Sequence, residues 1–257
     1  MNALVILAII LLLSMLFVGG RTGLRSFAAL FLNFGVLFLM LFFMTNPEVN
    51  PIVVTFGASI LVGCISLFFT NEVNSKTVLA FVSTLLVTGC MLLFIIYFSE
   101  TMMIQGFGEE EADSLSGLSL YIGVDFMKVG ASVIIVSTIG AILDVAISIT
   151  SSIHELNKHN SMLRTKELAS AGMHVGRDIL GADANTLFFA FFGGHLALLL
   201  WFKDLQYSIG DIVNSKVFSS ELLLILCAGI GVALVIPIAS WMSAWYLVKD
   251  LSTKRNN

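Results

Sequence analysis

Long apolar runs separated by short polar stretches dominate the chain. A membrane-spanning helix needs about 20 mostly apolar residues to cross roughly 30 Å of hydrocarbon. Stretches that meet this pattern cover residues 3–18, 26–44, 52–69, 78–98, 122–149, 184–202 and 222–248. The pattern therefore predicts an all-α fold, a polytopic transmembrane helical bundle of about seven spans that forms a single domain over residues 1–257.

The composition supports a bilayer environment. Hydrophobic residues make up 58% of the chain and charged residues only 12%, whereas soluble domains carry about 25% charged residues. Such a chain lacks the polar side chains to cover a globule in water. We expect a lipid bilayer around it and no nucleic-acid partner.

The basic residues alternate between the loops of the predicted bundle. Ten of them fall in alternate loops and the tail, namely Arg21, Arg25, Lys76, Lys158, Arg164, Lys166, Arg177, Lys249, Lys254 and Arg255. Because positive loops stay in the cytoplasm, this pattern predicts an amino terminus outside and a carboxyl terminus inside. The acidic loop 99–121 is then extracytoplasmic, and the loop 154–183 is cytoplasmic, with one or two helices on the membrane surface.

One predicted span carries a polar stripe at helical spacing. Its members are Ser137, Gly140, Asp144, Ser148, Ser151 and Glu155. On a helix, residues three and four apart share a face, and lipid does not accept a polar face. The stripe must therefore face other helices or water.

Asp144 is the candidate for chemistry in this stripe. A carboxylate near the bilayer centre costs about 2.5–3.5 kcal/mol on insertion scales. The functional interpretation is a proton or cation site; the structural one is a carboxyl group bonded to Ser148 or to a basic partner. Gly140 and Ser148 also fit close helix packing alone.

A second polar cluster, HVGRDILGADANT, covers residues 174–186. Arg177 and Asp178 precede the predicted sixth span, Asp183 or Asn185 could cap it, and Thr186 falls in its first turn. One hypothesis makes Arg177 the partner of Asp144.

Two further features concern the sixth and fifth spans. Gly193 and Gly194 should break the sixth span beside His195, which could relay protons or be a hydrogen-bonded structural histidine. Asp125 and Lys128, near the outer end of the fifth span, should form an ion pair or close a gate above the stripe.

The chain lacks the motifs of enzymes and of cofactor binding. It has no P-loop, HExxH, GxSxG or GxGxxG sequence. Its three cysteines have no metal-ligand spacing. We expect neither catalysis nor a bound cofactor or metal.

Two runs resemble a known family. GAILDVAISITSSIHEL (140–156) and GMHVGRDILGADANTLFFAFFGG (172–194) are similar to the signatures of the bacterial YibE/F-like membrane proteins. The matching residues are Gly140, Asp144, Ser148, Gly176, Arg177, Asp178, Gly181, Asn185 and Thr186. The resemblance implies a multi-pass protein of the bacterial plasma membrane, which could work with a paralogous membrane subunit.

Two functions remain open. A permease, or a permease subunit, for a small solute or ion would use Asp144, with Arg177, Asp178 and Asn185 near its cytoplasmic mouth. A non-transporting scaffold or assembly partner of a paralogous YibE/F-like protein would instead use the polar stripe as an interface.

Overall fold

The computed structural model describes residues 3–102, 125–160 and 162–256, and these residues are almost entirely helical, with no strand among them. Their helices are α1 (Ala3–Met44), α2 (Pro51–Cys64, continued by a π-helix over Ile65–Phe69), α3 (Ser75–Met102), α4 (Phe126–His159), α5 (Thr165–Gly194), α6 (Leu196–Asp204), α7 (Ile209–Asn214) and α8 (Lys216–Asn256). The all-α membrane bundle that the sequence predicts is confirmed.

Helix α4 is the centre of the bundle. It packs most extensively against α8 and α3, and less extensively against α5 and α2. Its buried face is mostly apolar and includes Ile135, Ile142 and Ile149, each less than 2% exposed. Burial of side chains of this size stabilises a fold by about 1.5–3 kcal/mol each in water, but in lipid close packing takes over that role.

Helix α1 contains the first two predicted spans and folds back on itself. Gly20 has φ 55° and ψ −130°, which interrupts the helix. A Cβ atom on Gly23 would overlap the backbone carbonyl group of Met15, although residues eight apart in a straight helix are separated by about 12 Å. The first arm (residues 3–19) and the second arm (residues 21–44) therefore form a hairpin around Gly20.

Five described helices are long and apolar enough to cross a membrane, namely α1, α2 with its π-helix, α3, α4 and α8. Helices α5 and α6 meet the same criterion as a pair, bent by 57° at His195. The break expected at Gly193 and Gly194 is thus confirmed. The total of seven spans and the orientation of the chain stay predictions, and the acidic loop 99–121 lies outside the described residues from position 103 onward.

The sixth predicted span begins inside a longer helix. Helix α5 begins at Thr165, so Asp183 and Asn185 lie inside the helix, and the prediction that one of them caps it is wrong. The loop expected over residues 154–183 is mostly helix, formed by the end of α4 and more than half of α5. Gly172 and Gly176 let α5 pack directly on α8, and apolar runs alone do not reveal such packing.

Contacts between helices show which helix ends and turns lie together at one end of the bundle. The Arg25 guanidinium bonds the Glu72 carboxylate at 2.8 Å, so the α1 hairpin bend lies beside the α2–α3 turn. Ser83 of α3 lies level with Met242 of α8, with 3.6 Å between Oγ and Sδ. We call this the basic end, because it gathers several positive side chains: Arg21, Arg25, Lys76, Lys158, Arg164 and Lys166.

Candidate functional site

The polar stripe lies on the outward face of α4. Gly140, Asp144 and Ser148 are all exposed in the isolated chain, whereas their neighbours Leu143 and Val145 are buried. Exposed and buried positions alternate with the helical period, because α3 and α8 pack on the apolar face of α4 and leave the polar face uncovered. No described helix of this chain covers the stripe completely.

Asp144 lies near the middle of the length of α4. It is 18 residues from the start of α4 and 15 from its end, which places it about 27 Å and about 22 Å from the two ends. Ser148 donates its hydroxyl hydrogen to the backbone carbonyl of Asp144 at 2.7 Å, not to the carboxylate. The described residues give the Asp144 carboxylate no hydrogen bond or ion pair.

A second carboxylate accompanies Asp144. The side chain of Asp183 on α5 is near enough for the two negative charges to repel each other. Two carboxylates whose charges repel each other are stabilised when one of them takes up a proton or when a cation binds near them. The sequence pattern suggests only a capping role for Asp183, and its position inside α5 explains why the pattern does not predict the pair.

Arg177 does not pair with Asp144. Its side chain is exposed and forms no ion pair with any described residue. Gly176, the residue before it, faces Ile236 of α8, and consecutive helical residues point about 100° apart. The packing of α5 on α8 therefore turns Arg177 away from the core, and the hypothesis that it partners Asp144 is wrong for this chain alone.

The other candidates on α5 lie apart from Asp144. Asp178 and Asn185 are exposed, and Thr186 donates to the carbonyl of Ala182 at 2.9 Å, within its own helix. With Arg177 and Gly181 they form one outer face of α5, because their spacing is three, four and seven residues. This face has no partner helix among the described residues.

His195 lies at the far end of α5. Its ring packs against Phe191 with 5.2 Å between ring centroids, and its Nε2 is 4.0 Å from the Glu221 carboxylate. It is 12 residues beyond Asp183, or about 18 Å along the helix. The structure does not bring His195 to the Asp144–Asp183 pair, so a relay that joins them is not formed by direct contact.

The predicted ion pair at the start of α4 is confirmed. Lys128 Nζ lies 3.0 Å from Asp125 Oδ2, and Asp125 also accepts a bond from the backbone N–H of Met127. The hydrogen bond from Lys128 lowers the pKa of Asp125 most, despite an opposing effect of partial burial. Asp125 acts as the N-cap of α4, a structural role.

Two cavities lie along the second arm of α1, and the hydropathy pattern does not predict them. The larger, about 460 Å³, lies against α2 and is open to the surface; it is lined by the polar residues Ser26, Asn33, Ser66 and Thr70 and by the apolar residues Ala29, Leu30, Phe34 and Leu37. The smaller, about 130 Å³, also borders on Asn33 and extends to Ser59 and Gly140. The smaller cavity thus reaches the polar stripe of α4 one helical turn from Asp144.

Polar spacing along α2 is the signal in the sequence that points to these cavities. Thr55, Ser59, Ser66 and Thr70 recur at intervals of four, seven and four residues, so they share one helical face. Ser66 lies within the π-helix of α2, and such local widenings are frequent at functional sites. The apolar residues around them indicate lipid-facing packing when hydropathy is considered alone.

No metal centre is formed by the part of the chain that the structure describes, since no group of three or more His, Cys, Asp or Glu side chains comes together there.

Comparison with known proteins identifies the family. A model of the family described as YibE/F-like protein matches residues 7–249. No curated protein and no solved structure matches the chain. The match spans all the described membrane helices and both polar clusters, and the chain therefore belongs to the YibE/F-like family of membrane proteins.

Proposed function

We propose that this protein is a permease, or a subunit of one, that moves a small solute or ion across the bacterial plasma membrane. The observation that carries the proposal is the Asp144 carboxylate, which lies in mid-helix without a hydrogen bond or ion pair from any described residue. A structural carboxylate at such depth would normally have a bonded partner, because an uncompensated one is costly.

The arrangement around Asp144 supports transport chemistry. The repulsion from Asp183 favours the binding of one positive charge near Asp144. Release of that charge restores the repulsion, so the site can bind and unbind at moderate cost. This reversibility is what a carrier requires, whereas a structural ion pair gains nothing from it.

A survey of solute exchange by whole cells tests the proposal without a chosen substrate. Cells that express the wild-type chain and cells that express Asp144→Asn are compared by mass spectrometry of small molecules and inorganic ions, inside the cells and in the medium. We expect at least one species whose distribution depends on the wild type and returns to the empty-vector level with Asp144→Asn.

Membrane abundance decides between function and structure in that experiment. Asp144→Asn should reach the membrane at the wild-type level, and Ser148→Ala serves as the control, because Ser148 bonds only a backbone carbonyl. A fall in the abundance of Asp144→Asn would mean that the carboxylate is structural. An unchanged distribution of every species would contradict the permease assignment.

A scaffold or assembly role is the second candidate, and a specific observation favours it. The polar face of α4 and the outer face of α5 are exposed in the isolated chain, and lipid does not accept such faces. A paralogous family member could cover both. Recovery of a stable complex with that protein, together with the absence of any solute that depends on Asp144, would support this role over transport.

A further inference from the structure

Unpaired polar groups line the two cavities beside α1. Ser59 is 2% exposed, and its hydroxyl group has no hydrogen-bond partner among the described residues. Asn33 uses its Nδ2 to donate to Ser66 Oγ at 3.0 Å, but its buried Oδ1 is also unpaired there. An unpaired buried polar group costs about 1–3 kcal/mol, so these atoms need a partner in the cavity.

The cavities form one route along the second arm of α1. Both border on Asn33 and Leu37, so they adjoin each other. The larger cavity is bounded by Ser26 and Thr70, close in sequence to the Arg25–Glu72 ion pair of the basic end. The smaller one ends at Gly140. The route thus leads from the basic end of the bundle into the polar stripe.

Gly140 leaves the inner end of the route open toward Asp144. A Cβ atom on Gly140 would meet no other atom within 4 Å. Side chains on a helix lean toward its amino terminus, so a residue covers the turn before it. Asp144 therefore leans toward the turn of Gly140, the residue of the polar stripe that lines the smaller cavity.

We propose that these cavities hold a chain of water molecules that carries protons between the basic end and Asp144, and that Asn33, Ser59 and Ser66 anchor this water. The proposal rests on the proposed function and names the proton as the coupling ion. A hydronium ion at the mouth gives up one proton to the water chain, and the chain delivers one proton to the Asp144 carboxylate. The carboxylate becomes neutral, and charge is conserved.

The number of oxygen ligands favours a proton over a metal ion. The smaller cavity offers only Asn33 Oδ1 and Ser59 Oγ as free side-chain oxygens among the described residues, whereas hard cations take six or more. A buried water needs two to four polar partners and little space, and about 130 Å³ accommodates several waters. Water chains need no complete coordination shell.

The charged groups around Asp144 are consistent with proton uptake. Among the described residues, Asp183 of α5 is the charged side chain close enough to act on Asp144. Helix α2 and its π-helix contribute no Asp, Glu, Lys, Arg or His between Pro51 and Phe69, and their sole titratable side chain is Cys64. Helices α3 and α8 pack on the opposite, apolar face of α4. No described cation competes with the proton.

Cysteine accessibility tests the water route. The native Cys64, Cys90 and Cys227 are replaced by alanine, and single cysteines are introduced by Ser66→Cys, Ser59→Cys and Leu39→Cys. Leu39 is the lipid-facing control, since it lies on the same arm and is 49% exposed without lining either cavity. The probe is 2-aminoethyl methanethiosulfonate, which needs a thiolate and therefore water, and the readout is intact mass.

We expect Ser66→Cys and Ser59→Cys in proteoliposomes to react about tenfold faster than Leu39→Cys. Gly140→Leu, added to each cysteine variant, should fill the smaller cavity without a backbone clash. It should slow the labelling of Ser59→Cys about tenfold and leave the labelling of Ser66→Cys unchanged. The unchanged labelling of Ser66→Cys would also show that the fold is intact. Gly130→Leu on the same helix is the matched control, because Gly130 is equally open and lines neither cavity.

Three results would overturn the route. Ser59→Cys could react as slowly as Leu39→Cys, which means that no water reaches the inner cavity. Gly140→Leu could leave the Ser59→Cys rate unchanged. Protection of Ser59→Cys by sodium or potassium, relative to choline, would show that a metal ion occupies the cavity. Each result leaves the permease proposal to its own test, because solute distribution is measured independently of labelling.

Discussion

Gly172 and Gly176 determine how closely α5 approaches the bundle. A Cβ atom on Gly172 would lie 2.7 Å from Ser240 Oγ, and one on Gly176 would overlap the Ile236 side chain. Small residues at such spacing allow helix backbones to come together in lipid. This packing presents Asp183 toward α4 and turns Arg177 outward, so the two glycines determine which charge Asp144 meets.

Alanine substitutions on α5 should separate packing from helix propensity. Gly176→Ala should destabilise the protein by about 1–3 kcal/mol, because Ile236 must move to admit the methyl group. Gly181→Ala, where the Cβ meets open space, should be neutral or gain up to about 1 kcal/mol from helix propensity. Thermal midpoints in detergent provide the measurement, and equal midpoints for the two variants would contradict this packing.

Among single residues, the sequence predicts Asp144 as a candidate site but does not predict that Asp183 lies near it. The cost of a carboxylate in lipid and the spacing from Gly140 to Ser148 are sufficient to distinguish Asp144 from the rest of its span. The proximity of Asp183 and the outward position of Arg177 depend on the rotation of α5 about its axis. That rotation follows from contacts with α8, which a single sequence does not display.

The hairpin within α1 also depends on a contact that the sequence does not predict. Gly20 adopts φ 55° and ψ −130°, a combination that residues other than glycine rarely tolerate. Hydropathy predicts two spans with a turn near Arg21, and the bend lies next to that residue. The close contact between Gly23 and Met15 is not predictable, because the apolar run before it offers no polar landmark.

Gly20→Ala should open the hairpin. The strained backbone costs about 1–3 kcal/mol, and we expect faster tryptic cleavage after Arg21 and Arg25 in detergent. Gly19→Ala is the matched control, since Gly19 also has open space around its Cβ and a helical conformation. Equal cleavage rates for the two variants would show that the bend does not depend on Gly20.

Helices with continuous apolar runs are easier to predict than those with mixed faces. The runs at 52–69 and 78–98 correspond to α2 and α3 within a few residues at each end. All the charged side chains of α5 lie between Lys166 and Asp183, and its apolar run follows them. Hydropathy therefore detects only the second part of α5, because glycine contacts, and not apolar side chains alone, hold the first part against the bundle.

The whole molecule has two distinct ends. Arg25 and Glu72 pair at the basic end, whereas residues 46–51 line a cavity together with Asp125 and Lys128 at the opposite end. The alternation of basic loops along the sequence predicts such a separation, because consecutive helices reverse direction. The span number depends on how α1 and the bent α5–α6 pair sit in lipid, and hydropathy alone does not determine that.

Cysteine labelling from each side of the membrane tests this arrangement. Glu48→Cys and Glu72→Cys, in a chain without its native cysteines, should react with an impermeant maleimide from opposite sides. The positive-inside rule predicts that Glu72→Cys reacts from the cytoplasm. If both cysteines react from the same side, the two ends of the bundle do not lie on opposite sides of the membrane, and the arrangement is contradicted. If Glu72→Cys reacts from outside and Glu48→Cys from the cytoplasm, the arrangement holds but its predicted orientation is reversed.

Proton uptake by Asp144 at membrane depth underlies both the transport proposal and the water route. Dicyclohexylcarbodiimide partitions into lipid and modifies protonated carboxyl groups, so mass spectrometry of treated proteoliposomes can report the protonation of Asp144 directly. We predict modification at Asp144 that decreases as the pH is raised and disappears in Asp144→Asn. An unmodified Asp144 at every pH tested would mean that it stays ionised, and would contradict proton uptake at this site.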